Sequence, residues 1–206
     1  MSEGRERELN YLYAATRPPQ LPVGWSLGAE AAPLALEDTY LDADGALAAR
    51  GWGLRRRESE GGERRYTLKR DATATGALHS REEIEAVALG EAEGPEGAAL
   101  PEQIRSVIDR EFGLDVTAQL RPTITLTQQR SSWRLARQGV SVADMTIDQV
   151  AVGGASWCEL EIEFLSSLSD DEVQRLSREL HGALQSNPQI SISTESKGER
   201  ARRLSL

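Results

Sequence analysis

The stretch LRRRESEGGERRYTLKR, residues 54–70, reads as two β-strands around a turn at Gly61-Gly62. A two-residue loop there pairs 57 with 66 and mixes polar and apolar side chains on both faces. A three-residue loop pairs 57 with 67 and 55 with 69. Arg55, Arg57, Thr67 and Lys69 then share one face, and Trp52, Leu54, Tyr66 and Leu68 the other. Side chains alternate with period two, so only the odd-length loop separates the two sets, and that register is the predicted one. The hairpin presents a concentrated cationic face in a chain whose formal net charge is −9.

Composition bounds what such a face can do. With 206 residues, the chain is long enough for one domain, 1–206, with a real core. Acidic groups outnumber basic ones by 33 to 24, which argues against non-specific nucleic-acid binding, so any anion site is local. The single Cys158 excludes an intramolecular disulfide, and its place between Trp157 and Glu159 in a strand pattern suits a structural thiol. His79 and His181 have no ligand spacing for zinc. No leader pattern or long apolar run is present, so a cytoplasmic location without membrane contact is expected.

The remaining strands place more charge in alternation. In residues 5–14, Glu6, Glu8 and Asn10 share one parity and Leu9, Tyr11 and Tyr13 the other. A Pro/Gly-rich loop is expected over 16–33, a strand over 34–41, and a turn or short helix over 42–50. Leu78 to Leu89 alternates again, with Arg81, Glu83 and Glu85 on one face. Residues 90–100 read as a loop. Pro101 to Phe112 reads as a helix with Ile104, Val107, Ile108 and Phe112 as its apolar stripe. β-rich runs follow over 116–152, turning at Gln138-Gly139 and showing Gln128, Arg130, Arg134, Asp144, Thr146 and Asp148 on even positions. Trp157 to Leu165 alternates most clearly, with Glu159, Glu161 and Glu163 opposite Cys158, Leu160, Ile162 and Phe164. Three carboxylates on one strand face repel unless they are solvated or paired with cations. Ser169 to Glu172 is a capping box opening a helix. Ile190 to Lys197 alternates once more, and the basic tail from Gly198 is helical or frayed.

Two architectures accommodate these strands. An open antiparallel sheet would turn its charges to water. A sheet closed into an eight-stranded barrel, with helices on its apolar outside, would line a tunnel with them, which requires a polyvalent ligand. The signs favour the tunnel: arginine and lysine grip phosphate oxygens, and paired carboxylates hold the hard cation that accompanies polyphosphate.

The residues resemble the CYTH domain, the triphosphate tunnel metalloenzyme family of thiamine triphosphatases, inorganic tri- and polyphosphatases and class IV adenylyl cyclases. Its E-x-E-x-K signature appears as Glu6-Arg-Glu8-Leu-Asn10, and Tyr40-Leu-Asp42 with Leu47 and Gly51 precedes its L-R-x-R strand, Leu54-Arg55-Arg56-Arg57. Its T-x-K is Thr67-Leu68-Lys69 and its R-x-E-x-E is Arg81-Glu82-Glu83-Ile84-Glu85; Arg130, Asp148, Glu159-Leu160-Glu161 and Ser196-Lys197 follow in the family's order. The resemblance implies an α+β fold, a closed antiparallel eight-stranded β-barrel tunnel with helices outside. It also implies Mg²⁺ or Mn²⁺ held by residues drawn from Glu6, Glu8, Glu159 and Glu161, with Asp148 or Glu85 close by. A triphosphate or polyphosphate substrate would be clamped by Arg55, Arg57, Lys69, Arg81, Arg130 and Lys197, with Lys69, Arg57 and Glu161 in catalytic roles. Glu163, Glu195 and Arg134 are weaker candidates. A CHAD-type partner domain in a longer chain is a further expectation.

Two departures stand out: Asn10 occupies the signature's lysine position, and Gln128 replaces a lysine often found two residues before Arg130. Each removes a cation, while an amide still donates hydrogen bonds to phosphate. Three functions remain open. The first is metal-dependent hydrolysis of tripolyphosphate or a related triphosphate by a metal-activated water. The others are polyphosphate binding with little turnover and cyclisation of a nucleoside triphosphate.

Overall fold

The computed structural model describes residues 2–59, 62–71, 73–88 and 100–205; residues 90–99 of the expected loop lie outside these. The strands are β1 (Ser2–Tyr13), β2 (Trp25–Glu30), β3 (Leu34–Asp42), β4 (Trp52–Ser59), β5 (Arg64–Arg70), β6 (Thr73–Thr75), β7 (Leu78–Ala88), β8 (Arg121–Arg137), β9 (Val140–Val152), β10 (Ala155–Phe164) and β11 (Ile190–Ile192). The helices are α1 (Glu102–Phe112), α2 (Leu114–Gln119), α3 (Asp170–Leu184) and α4 (Lys197–Leu204). Pairing runs β1-β10-β9-β8-β3-β4-β5-β7 and returns to β1, the closed eight-stranded antiparallel barrel topology expected from the sequence; β2 attaches to β8, β11 to β1 and β6 to β7. Among the described residues, no helix is long and apolar enough to cross a membrane.

The chain divides into two compact units. The first comprises Met1–Gly4, Ala35–Ala72 and Arg81–Thr127. Its core gathers Leu41, Leu54, Tyr66, Leu68 and Ala86 from one face of β3, β4, β5 and β7 under Ile104, Val107 and Ile108 of α1. The stripe at i, i+3 and i+4 puts these three side chains on one helix face, as read from the sequence.

The β4–β5 hairpin in this unit corrects one detail of that reading. Three positions lie between the hydrogen-bonded Ser59 and Glu63, the odd count expected: the Ser59 N–H donates to the Glu63 carbonyl at 3.1 Å. Arg57 nevertheless pairs with Arg65 and Arg55 with Thr67, two residues from the predicted register. The closing pair is Ser59 and Glu63 rather than 60 and 64. Three-residue hairpins place their last loop residue in the left-handed region, which suits glycine and would strain Glu63. Gly62 takes that place with φ 78°. A shift of two preserves parity, so the cationic and apolar faces stand as predicted.

The second unit comprises Arg5–Leu34, Thr73–Ser80 and Gln128–Leu206. Leu9 and Tyr11 of β1, Met145 and Ile147 of β9, and Leu160 and Ile162 of β10 pack beneath Val173, Leu176, Leu180 and Leu184 of α3. The capping box is formed in full: Ser169 Oγ accepts from the Glu172 N–H, and the Glu172 side chain accepts from the Ser169 N–H.

Three segments differ from their sequence reading. The loop expected over 16–33 contains β2, a short strand pairing Trp25 with Arg137 and Leu27 with Leu135; its proline-rich flanks mask it. Residues from 116, expected as strand, begin inside α2, where the Thr117 hydroxyl bonds to Asp109. The strand expected over 190–197 stops at Ile192, because Ser196 and Glu199 form a second capping box and start α4 at Lys197. Lys197 therefore projects from a helix.

Candidate functional site

Each unit carries an ionic group on the sheet face away from its core. In the first unit the group is built around Asp38 of β3, which is fully buried and stands opposite Arg57 in the register. Arg57 grips it with both edges of its fork, Nε to Oδ1 at 2.6 Å and Nη2 to Oδ2 at 2.7 Å. Arg55, two residues along the same face, reaches Asp38 Oδ2 at 3.5 Å and donates to Thr67 Oγ1 at 3.1 Å. One carboxylate thus fixes two adjacent guanidinium groups, whose planar geometry matches a phosphoryl group's oxygens. Lys69 pairs with Glu83 at 3.0 Å and Arg65 with Glu85 at 2.7 Å. Arg81 is half-buried on β7. The sequence reading did not single out Asp38; its parity with Tyr40 on the strand before the L-R-x-R motif was the available signal.

In the second unit the register aligns Asn10 of β1, Glu161 of β10 and Thr146 of β9 across three strands, and Leu12, Glu159 and Asp148 beside them. Asp148 is fully buried. Arg130 holds it through Nε at 2.7 Å and Nη2 at 2.5 Å, and Lys197 Nζ donates to it at 2.6 Å. Burial by itself would push the Asp148 carboxyl up; the Lys197 and Arg130 charges outweigh burial and hold it well below the usual carboxylate range. Burial would likewise depress the Lys197 ammonium, but Asp148, Glu161 and Glu159 raise it above its ordinary value.

Glu161 meets Lys197 at 3.1 Å and Arg130 at 3.2 Å. Glu159 accepts from Trp157 Nε1 at 2.7 Å and lies 3.7 Å from Lys197 and 3.5 Å from Arg200. Burial, aided by the neighbouring Glu161 charge, raises the Glu159 carboxyl despite the attraction of Lys197 and Arg200. Glu8 is buried and accepts from Asn10 Nδ2 at 2.9 Å. The Asn10 Oδ1 and Thr146 Oγ1 atoms are buried with no hydrogen-bond partner among the described residues. Half-buried Glu6 acts on His79: burial lowers that imidazole, and the Ser193 backbone and the Glu6 charge partly restore it.

The structure thus brings Asp148, Glu159 and Glu161 to Lys197, and Asp148 and Glu161 to Arg130, while Glu8 meets Asn10. Those two cations, expected in a phosphate clamp, are engaged by carboxylates here. Glu85, expected near the metal ligands, belongs to the first unit's group with Arg65. Gln128 is buried and its Oε1 accepts from Lys197 at 3.3 Å; a lysine there would set two ammonium groups together. Among the weaker candidates, Arg134 pairs with Asp144 at 3.0 Å with both side chains exposed, and Glu195 pairs with Arg203 at 2.8 Å. Trp157 and Arg200 were not singled out. Trp157 shares the parity of Glu159, whereas Arg200 becomes visible only once α4 is read as a helix. Among the described residues, no three histidine, cysteine, aspartate or glutamate side chains are grouped as a metal site.

A model of the CYTH domain family matches residues 5–201. No match is found among curated proteins. Among solved structures, HpAC1 from Hippeastrum, named as an adenylyl cyclase and described as having a dominant triphosphatase activity, superposes with a TM-score of 0.70 at 17% identity, covering 98% of this chain and 97% of its own. A protein from Pyrococcus horikoshii OT3 gives a TM-score of 0.54 at 15% identity over 96% of this chain and 98% of its own. A Bacillus halodurans protein named as an adenylate cyclase gives 0.52 at 18% identity over 82% of each chain.

Proposed function

Because the chain belongs to the CYTH domain family, we propose that it is a divalent-metal-dependent phosphohydrolase acting on inorganic tripolyphosphate, polyphosphate or a related triphosphate. The observation that carries this reading is the pair of adjacent guanidinium groups, Arg55 and Arg57, fixed by one buried carboxylate. Prepositioned forks of this kind stabilise charge on a phosphoryl group without reorganising during the reaction. The triphosphatase activity described for HpAC1 is consistent with it.

Arg55, Arg57, Lys69 and Arg81 would hold the phosphoryl oxygens of the substrate. Water attacks the terminal phosphorus in line, the phosphoanhydride P–O bond breaks, and the shortened phosphate chain leaves with that oxygen. Arg57 and Lys69 stabilise the charge that builds on the transferred group. The acidic face suits a hard divalent cation: its donors are all oxygens, and two of them, Asn10 Oδ1 and Thr146 Oγ1, are buried without hydrogen-bond partners among the described residues. Glu8 and Glu161 would hold the cation, with Glu6, Glu159 and Asp148 around them. A bound Mg²⁺ or Mn²⁺ supplies neutralisation of phosphate charge and lowers the pKa of a coordinated water. Arg130 and Lys197 would position these carboxylates.

A second reading, polyphosphate binding with little turnover, draws on the fact that Arg130 and Lys197 already neutralise Asp148 and Glu161. Phosphate release from tripolyphosphate, longer polyphosphate, thiamine triphosphate and ATP, with Mg²⁺ and then Mn²⁺, separates the readings. Orthophosphate from at least one substrate is the expected result. Four intact substrates alongside a melting temperature raised by tripolyphosphate would leave binding alone, and cyclic AMP from ATP would establish a cyclase.

A further inference from the structure

At the last position of the E-x-E-x-K signature this chain has Asn10. A lysine there would bring an ammonium to the acidic face; the asparagine brings an amide with one acceptor oxygen and two donor hydrogens. Asn10 Nδ2 donates to Glu8 Oε1 at 2.9 Å, which points the amide nitrogen at Glu8. The amide oxygen is left buried, without a hydrogen-bond partner among the described residues. Buried acceptors are costly unless something positive reaches them.

The register sharpens the point. Asn10 stands directly opposite Glu161, and Glu161 directly opposite Thr146, whose Oγ1 is also buried without a partner. Glu161 is therefore flanked, strand by strand, by two neutral oxygens that no donor among the described residues satisfies. Lys197 and Arg130 both reach Glu161, yet neither donates to Asn10 Oδ1 or Thr146 Oγ1. Each carboxylate oxygen has two lone pairs, so Glu161 can accept from these cations and still face a further positive charge. A hard divalent cation held at Glu161 takes several oxygen ligands and readily includes neutral ones, such as an amide or hydroxyl oxygen.

We propose that Asn10 Oδ1 is a ligand to the divalent cation held at Glu161, with Glu8 and Thr146 Oγ1 beside it. This rests on the metal-dependent reading above and deepens it: the lysine-to-asparagine departure exchanges an internal counter-cation for an oxygen ligand. The chain should then bind its metal without phosphate present, and a restored lysine should oppose that binding.

The test uses Mn²⁺ alone, titrated into the metal-stripped full chain without phosphate, with free Mn²⁺ read by electron paramagnetic resonance. Asn10→Leu, which keeps the shape and removes both polar atoms, should raise the Kd by at least about tenfold, the scale on which lost partners of a metal site act. Asn10→Lys should weaken binding as much or more. Asn10→Asp, which keeps an oxygen in place but cannot donate to Glu8, should bind as tightly as the unaltered chain or more tightly. If Asn10 only positions Glu8 through Nδ2, the Leu and Asp variants weaken alike, and that result overturns the proposal; so does an unchanged Kd in Asn10→Leu. Asn10→Ala takes the place of Asn10→Leu if melting in EDTA shows the latter unfolded. Glu161→Gln separates the two levels of the argument. Mn²⁺ binding lost there but untouched in Asn10→Leu refutes only the role of Asn10, whereas binding indifferent to both refutes a metal on this face.

Discussion

The Asp38 and Asp148 groups use the same device to opposite ends. In each, a fully buried aspartate receives the Nε and Nη2 edge of an arginine, Arg57 in one and Arg130 in the other. Around Asp38 the next neighbour is a second arginine, Arg55, so the carboxylate gathers more positive charge than it cancels. Around Asp148 the neighbours include Glu159, Glu161 and Lys197, and Glu8 adds a further buried carboxylate to that unit. A buried ion pair therefore says little about what a face binds. It fixes geometry, and the surrounding residues set whether that geometry suits an anion or a cation.

The largest expected effect tests the fixing role. Asp148→Asn leaves Arg130 and Lys197 without the charge they enclose and should cost about 3–5 kcal/mol of unfolding free energy, measured by urea titration in EDTA. A cost below about 1 kcal/mol would mean that the pairing does not organise this face. Next is Arg57→Ala, which should weaken tripolyphosphate binding by about 2 kcal/mol or more, because a charge-assisted bidentate contact is lost; unchanged affinity by calorimetry would remove Arg57 from the anion site.

Acid titration sharpens the contrast within the acidic group. The depressed Asp148 carboxyl contributes stability that is present above its unfolded pKa of about 3.9 and lost as pH falls. Glu159 is raised, so its contribution is present below an unfolded pKa of about 4.3 and lost as pH rises. Relative to the unaltered chain, Asp148→Asn should thus become more destabilising as pH rises toward about 4 and stay level above it, while Glu159→Gln becomes less so as pH rises above about 4.3. Slopes of the same sign would contradict the assigned shifts. The smallest effect belongs to the exposed Arg134–Asp144 pair: Arg134→Ala should change stability by about 0–1 kcal/mol in a thermal melt and leave both ligand affinities alone.

The faces were legible in the sequence because parity is. Alternation in 5–14, 54–70 and 157–165 assigned Glu8, Arg55, Arg57, Lys69 and Glu161 to polar faces without any knowledge of partners. The barrel topology followed from the signs on those faces and from the family resemblance. Partners were less legible. Asp38 sits in a strand of mixed polarity and declares itself only by standing opposite Arg57. The alternation over 190–197 suggests a strand, whereas the Ser196–Glu199 capping box starts a helix at Lys197 and brings Lys197 and Arg200 to carboxylates that the alternation does not reveal. The hairpin register differs by two residues because parity alone does not place the loop, and Gly62 takes its left-handed last position.

The division of labour between the two groups is tested most directly by measuring both ligands on two variants. Tripolyphosphate binding in EDTA and Mn²⁺ binding without phosphate are each determined by calorimetry for Arg57→Ala and Glu161→Gln. The prediction is a crossed result: Arg57→Ala loses tripolyphosphate affinity and keeps Mn²⁺, while Glu161→Gln loses Mn²⁺ and keeps tripolyphosphate. Two variants that lose the same ligand, or that lose neither, would contradict the assignment of phosphate to the Asp38 group and metal to the Asp148 group.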